Sequence, residues 1–350
     1  MLMKELAPFP VLSTIVQQPL GVVSSTLASD GIAWFVEAEY PVGAVKACYL
    51  ARRGFNHVYE LQLADGRRCI ARLSSHRGRG APNIAYETAL LSHLKVAGAA
   101  VAAPLLTRKG KAYTQLTVAE GTRALVVFEY LQGNPPGEAL PDIEATGESL
   151  AHIYVLSQTY RGPSSRYSLD LPHLLRRPLK YLLLAPTLDN SLRENFLGIA
   201  DRLEKRIADT STLSLVTCHG ECHGGNTFVT EGLDGARIAS FFDFDDAGPG
   251  YLAYDLAVYL WNMKLGMATD LDADKHERWK CFLKGYRRIQ QLPSVDFDAI
   301  TLFVSVRHFW FLGEFASRIH EWGSQALPQP WLQKQVELLT AWESIPTPTA

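Results

Sequence analysis

The chain has 350 residues, 47% of them apolar and 20% charged, with a formal net charge of -2. That length and composition suit a globular protein of one large or two smaller domains and argue against a disordered chain. A balance so near neutrality gives no electrostatic footprint for nucleic acid or an anionic membrane surface, so neither is expected as a partner.

The opening "MLMKELAPFPVL" has no long apolar core before a small-residue cleavage site, so no signal peptide is expected. From about residue 45 to 131 the chain reads as short strands. "HVYELQLADGRRCIARLS" alternates around Asp65–Gly66, a β-hairpin pattern. "NIAYETALLSHLKVAG" has helical spacing with Gly98 as its stop. "APLLTRKGKAYTQLT" and "TRALVVFEYLQG" supply further strands. After the break "GNPPGEALP", five segments between Ile143 and Ile319 carry apolar residues at i, i+3/i+4 spacing. One more hairpin, "NTFVTEGLDGARIASFFDFDD", turns at Asp234–Gly235. The most apolar helix, "ITLFVSVRHFWFLGEFA", is interrupted by Arg307, His308 and Glu314, which fits a buried amphipathic helix and not a membrane span. The expected architecture is α+β. A small antiparallel sheet with one helix occupies residues 1–131, a mostly helical lobe occupies residues 132–350, and a ligand cleft lies between them.

Cys48, Cys69, Cys218, Cys222 and Cys281 are odd in number and scattered, which is no disulfide framework and points to a reducing, cytoplasmic setting. The densest polar stretch is "LVTCHGECHGGNTF". A structural zinc site needs four converging ligands, usually as two separated pairs. Cys218, His219, Cys222 and His223 crowd within six residues with no second cluster, so the two cysteines read as small buried hydrophobes. "DLDADK" begins like a calcium loop, but Lys275 and Cys281 stand where Gly and Glu are required. "GRGAPN" carries only part of a dinucleotide fingerprint and opens no βαβ unit.

The hairpin suggests different chemistry. Its strands leave Asn226 and return to Asp243, which places a carboxamide and a carboxylate side by side. That pair suits a hard Mg²⁺ ion carrying nucleotide phosphates. Glu221, five residues before Asn226, supplies a carboxylate that could orient an attacking hydroxyl and accept its proton.

"HGECHGGN" followed by "FFDFDDAGPGYLAYDLA" resembles the catalytic loop and metal motif of the aminoglycoside phosphotransferase/choline kinase group, small-molecule relatives of protein kinases. Within the group, homoserine kinase type II and stress-response kinase A are the most similar, the latter through Arg307 and "EWG" (Glu321–Gly323). The resemblance covers roughly residues 30 to 340. It implies a protein-kinase-like bilobal fold using ATP and Mg²⁺. Glu221 then takes the place of the catalytic Asp, His219 braces the loop, and Asp255 buttresses it from the following helix. Asn226 and Asp243 match the metal ligands, with Asp245 as a further carboxylate or a solvated one. Arg72 matches the basic residue for the α/β-phosphates, Glu87 its ion-pair partner, and Gly54 and Asn56 the phosphate-covering loop. The backbone around Glu129, Tyr130 and Leu131 matches the adenine-reading hinge.

Two positions depart from the family pattern. Arg72 replaces the usual Lys, which keeps the charge and adds a bidentate grip. Glu221 replaces Asp, which moves the carboxylate by about 1.5 Å, one carbon–carbon bond. A misplacement near 1 Å can cost about a hundredfold in rate, so an active phosphotransferase and a nucleotide-binding pseudokinase both follow from the pattern. The acceptor is open as well. Arg307, Trp310 and Glu314, at helical spacing, line a pocket for a small amino alcohol or form an ion pair within a core helix. A serine or threonine hydroxyl on a protein is the competing acceptor.

Overall fold

The computed structural model describes residues 21–76, 80–233 and 235–349. The opening "MLMKELAPFPVL", Gly78 and Arg79 of "GRGAPN", and Asp234 of the second hairpin turn lie outside the described residues.

Helix α1 (Ser29–Glu39) comes first and was not among the expected elements. Its apolar residues form one continuous run, and only Ile32 and Val36 are buried, so it shows little helical period. Strands β1 (Val45–Arg53), β2 (His57–Leu63), β3 (Arg68–Leu73), β4 (Thr114–Val118) and β5 (Gly121–Glu129) form one antiparallel sheet in the order β1-β2-β3-β5-β4. The β2–β3 hairpin has the expected register, with Val58 opposite Arg72. Helix α2 (Ile84–Val96) stops at Gly98, whose φ of +95° a side chain would resist.

The two faces of the sheet bury into different cores. Along β5, Leu125 and Val127 pack with α1, β2 and β3, whereas Val126 and Phe128 join the cluster that holds α2 and the helical half. Strand alternation produces this division directly. Helix α2 therefore shares a core with the helical lobe, although the linker separates them in sequence.

The second half comprises α3 (Leu140–Ser157), α4 (Arg177–Leu183), α5 (Asn190–Ala208), α6 (Leu252–Lys264), α7 (Ala273–Ile289), α8 (Ser294–Ala316), α9 (Ile319–Trp322) and α10 (Gln329–Trp342). Glycines let α3 and α7 cross closely: a Cβ on Gly147 would lie 1.9 Å from the Phe282 carbonyl oxygen, and one on Gly285 would lie 1.9 Å from that of Glu144. The "DLDADK" stretch has an ordinary duty, since Asp272 caps α7 by accepting the Lys275 N–H at 2.8 Å. Helix α8 differs from the amphipathic expectation. Arg307, His308 and Glu314 are all buried, because α8 is packed by α4, α5, α6 and α10. No helix among the described residues is long and apolar enough to cross a membrane.

Two short ribbons complete the lobe. β7 (Thr227–Glu231) and β8 (Arg237–Phe241) form the expected hairpin, with Thr227 opposite Phe241. β6 (Leu215–Cys218) pairs with β9 (Gly248–Tyr251), setting Cys218 opposite Gly248. The sequence "GPGY" carries no strand signature, so this pairing was not foreseen. It ties the chain entering "HGECHGGN" to the chain leaving "FDFDD".

Candidate active site

At the sheet end of the cleft, Arg72 on β3 meets Glu87 on α2. Both Nη atoms of Arg72 donate to the Glu87 carboxylate, at 2.8 and 2.5 Å, and Nη1 also reaches Asp243 Oδ1 at 3.2 Å. Arg72 and Glu87 are both buried. Burial works against the guanidinium charge, but the carboxylates of Glu87, Asp245 and Asp243 outweigh it and raise the pKa above the usual arginine value. The ion pair suggested by the sequence is therefore present, with a third member added from the second half of the chain.

The loop after β6 is held by its backbone. Asp255 on α6 accepts the N–H groups of His219 and Gly220 at 2.7 and 2.8 Å and the Tyr154 hydroxyl at 2.8 Å. Burial raises the Asp255 pKa, and those three donors pull against it. Nδ1 of His219 accepts the Glu221 N–H at 3.2 Å, so Nε2 carries the proton and donates to the Phe242 carbonyl at 3.0 Å. Burial keeps this imidazole neutral, with its pKa lowered to about 4. His219 thereby joins the loop to the strand entering Asp243. Gly220 has φ +85°, and a Cβ there would lie 2.5 Å from the Asp246 carbonyl oxygen, so only glycine fits between the two motifs. Cys218 and Cys222 are fully buried, as small hydrophobes are.

Asn226 and Asp243 are brought together by the hairpin. The Phe242 N–H donates to the Asn226 carbonyl at 3.1 Å, and Asp243 follows directly. The Asn226 carboxamide donates from Nδ2 to the Glu221 carbonyl at 3.0 Å, which leaves Oδ1 as the atom with which it would ligate a cation. Asp243 has φ 65° and ψ 58°, the one left-handed non-glycine residue among the described residues. Such a conformation costs on the order of 1–3 kcal/mol and persists where surrounding structure imposes it. Asp245 is buried and accepts from Asn56 Nδ2 at 2.6 Å, so the loop between β1 and β2 is bonded to the segment following β8.

Glu221 does not stand alone. Its two oxygens lie 2.7 and 2.8 Å from Nη1 and Nη2 of Arg307 on α8, and His223 Nε2 is 3.4 Å away. Burial pushes the Glu221 pKa up, but Arg307 and His223 more than reverse this and hold it at about 2. The predicted trio on α8 divides. Trp310 lies against the Arg307 guanidinium, 4.2 Å from charge to ring centre. Glu314 turns instead to Arg177 on α4, at 2.7 Å, an ion pair within the helical core.

Against Arg72 and Asp243 lies a cleft of about 320 Å³. Ile70, Ala102, Phe128, Leu131, Phe228 and Phe242 give it apolar walls, and Arg72, Asn56 and Asp243 give it a polar end. Glu129 and Tyr130 stand at its rim, where Glu129 pairs with Lys95 at 2.7 Å and Arg68 covers the Tyr130 ring at 3.6 Å. Three contributors were not foreseen. Tyr154 supports Asp255, and Arg318 donates to the carbonyls of Phe55 and His76, both at 3.2 Å. Phe55 packs on Phe315 and Trp322, with ring centroids at 5.7 and 5.4 Å. Arg318 lies more than 200 residues from Phe55 and His76, and Tyr154 lies 101 from Asp255, beyond the reach of any local spacing.

Residues 50–292 match the model of the phosphotransferase enzyme family. The chain belongs to this family, and it is a phosphotransferase with an alcohol group as acceptor. An uncharacterized protein of Deinococcus radiodurans is 33% identical over 321 residues, covering 91% of each chain. A homoserine kinase of Paramagnetospirillum magneticum is 25% identical over 292 residues, covering 81% of this chain and 84% of its own. Among solved structures, a microcompartment-associated aminopropanol kinase superposes with a TM-score of 0.68 at 21% identity, covering 89% of this chain and 95% of its own. An amicoumacin kinase in complex with AMP-PNP, Ca²⁺ and Ami gives 0.70 at 20% identity, covering 89% and 93%. The expected α+β, protein-kinase-like architecture is thus the fold of this phosphotransferase.

Proposed function

We propose that this phosphotransferase moves the γ-phosphoryl group of Mg²⁺·ATP to the hydroxyl of a small amino alcohol or amino-acid-like acceptor. The observation that carries the reading is one cleft whose apolar walls lead to Arg72 and Asp243, with Asn226 and Glu221 on the adjoining loop. Adenine suits the apolar slot at Phe128 to Leu131, and Arg72, held by Glu87, suits the α- and β-phosphates. The solved amicoumacin kinase holds AMP-PNP on the same fold, which favours ATP.

Asn226 and Asp243, with Asp245 beyond them, are the residues that would hold Mg²⁺. Among the described residues no three His, Cys, Asp or Glu side chains gather into a metal cage. That donor set fits an ion that takes one or two carboxylates and draws its other ligands from phosphate and water. When bound, the ion supplies charge compensation to the phosphate oxygens. Glu221 then orients the acceptor hydroxyl. A carboxylate with a pKa near 2 is a weak proton acceptor, which suits a loose transition state where alignment counts for more than proton removal.

The relatives' names favour an acceptor with both an amino and a hydroxyl group, as in homoserine kinase and aminopropanol kinase. The test combines a thermal-shift titration with Mg²⁺·ATP and a γ-labelled ATP screen over amino alcohols, hydroxy amino acids and seryl peptides. Stabilisation by the nucleotide and label on an amino alcohol are expected. Label on peptides alone would move the acceptor to protein, and no stabilisation at all would sink the nucleotide reading.

A further inference from the structure

Resting on that reading, we infer that Arg307 is a positioning residue for Glu221: its two-pronged grip sets the longer carboxylate where the reaction needs it. A glutamate has one more rotatable bond than the aspartate of the family pattern, and a buried guanidinium that donates from Nη2 to one carboxylate oxygen at 2.8 Å and lies 2.7 Å from the other restrains it. The fork is itself fixed. Arg307 is buried, with its charge 4.2 Å from the Trp310 ring and 4.7 Å from the Trp261 ring. The Trp261 indole donates to His308 Nδ1 at 3.1 Å, and the other ring nitrogen of His308 meets Gln335 at 3.0 Å. A run of contacts from α10 through α8 and α6 therefore ends on one loop carboxylate.

The lengths of the two side chains match each other. An aspartate at 221 would fall short by about 1.5 Å, and contacts at 2.7 and 2.8 Å would not both survive without movement of the loop. That loop is tied down by Asp255 and His219, so the movement is resisted. Glu221 and Arg307 thus form one device, in which the substitution at 221 and the arginine across from it answer each other. An ordinary core ion pair has both partners sealed. Here the Arg307 side chain is 3% exposed and the Glu221 side chain 13%, so the acid is the more accessible member.

The experiment measures kcat, KM for ATP and the Kd of Mg²⁺·ATP for wild type, Arg307→Lys, Arg307→Met, Glu221→Asp and the Glu221→Asp/Arg307→Met double variant. Phosphoryl transfer to the screened acceptor, or to water, is followed. Arg307→Met should lower kcat about a hundredfold, with the Kd of Mg²⁺·ATP within twofold of wild type. Arg307→Lys keeps the charge but not the fork, and it should recover part of the loss. The double variant should be no slower than Glu221→Asp alone, since one contact has already been broken. Unchanged kcat in Arg307→Met, a matching loss of nucleotide affinity, or multiplying effects in the double variant would each overturn the inference. If Arg307→Met does not fold, Arg307→Lys decides by the same split between kcat and Kd. A wild type that binds Mg²⁺·ATP yet transfers nothing would overturn the positioning role alone. A wild type that does not bind it would overturn the reading beneath.

Discussion

At the sheet end of the cleft Arg72 meets Glu87 at 2.8 and 2.5 Å, and at the loop end Glu221 meets Arg307 at 2.7 and 2.8 Å. The distances are similar, but the first pair has two hydrogen bonds and the second one hydrogen bond and one ion contact, and the orientation is reversed. In the first pair the arginine reaches the cleft and Asp243, while Glu87 stays sealed at 1% exposure. In the second the glutamate is the more exposed member, at 13%, and the arginine is sealed at 3%. A buried ion pair is weak evidence for stability, because desolvation offsets much of its attraction. On the proposed function each pair offers one fixed charge to the reaction, positive for phosphate and negative for a hydroxyl, with the opposite charge behind it as support.

The comparison can be broken most severely at its two glutamates. Glu221→Gln should cost on the order of a hundredfold in kcat through lost alignment of the acceptor, while the Kd of Mg²⁺·ATP by calorimetry stays near wild type. A loss confined to nucleotide binding would mean that the two ends do not divide the work. Glu87→Ala attacks the other pair from behind. Removing one partner of a buried pair costs about 3–5 kcal/mol, so denaturant melts should show a loss of that order, with weakened nucleotide binding. A variant as stable as wild type would show that Arg72 needs no support.

Acidity sharpens the comparison, because the cage around Arg307 includes His308. Its Nδ1 accepts the Trp261 indole N–H, so the folded protein admits only the neutral ring. Burial, with Arg307 nearby, lowers its pKa from 6.5 to about 4. The unfolded chain takes up a proton in that interval and the folded one does not. The contribution of His308 is therefore complete above pH 6.5 and is lost as the pH falls toward 4, a difference on the order of 3 kcal/mol. Thermal melts of wild type and His308→Gln should converge on going from pH 7 to pH 4. Parallel curves would show that His308 titrates normally. The smallest effect is expected at Arg318→Met. It removes one hydrogen bond to the loop carrying Phe55 and one to His76 beyond β3, and should speed nucleotide release in stopped-flow measurements by about fivefold, the equivalent of roughly one hydrogen bond. An unchanged rate would show that the loop is held by Asn56 and the Phe55 ring contacts alone.

Much of this site could be read in advance, because its parts lie close together in sequence. His219, Glu221 and Asn226 sit on one loop, Asn226 and Asp243 on one hairpin, and Arg72 on a strand with clean alternation. Less legible was what long-range packing assigns. Glu314 shares the helical spacing of Arg307 and Trp310, yet it pairs with Arg177 in the core. Helix α1 and strand β9 went unforeseen, since an unbroken apolar run and a "GPGY" segment carry no periodic signal.

By itself the sequence determined the order of those elements that carry a periodic signal, the turn and stop glycines, and the identities of the groups that meet at the hairpin. These follow from periodicity and from backbone limits that act over a few residues. Only the tertiary structure decided that α2 shares its core with the helical half, that Arg318 reaches Phe55, and that Glu221 is gripped by Arg307. The reason is physical. A side chain 86 residues away leaves no spacing signal, and its position is fixed only when burial of the apolar faces selects one arrangement of the helices.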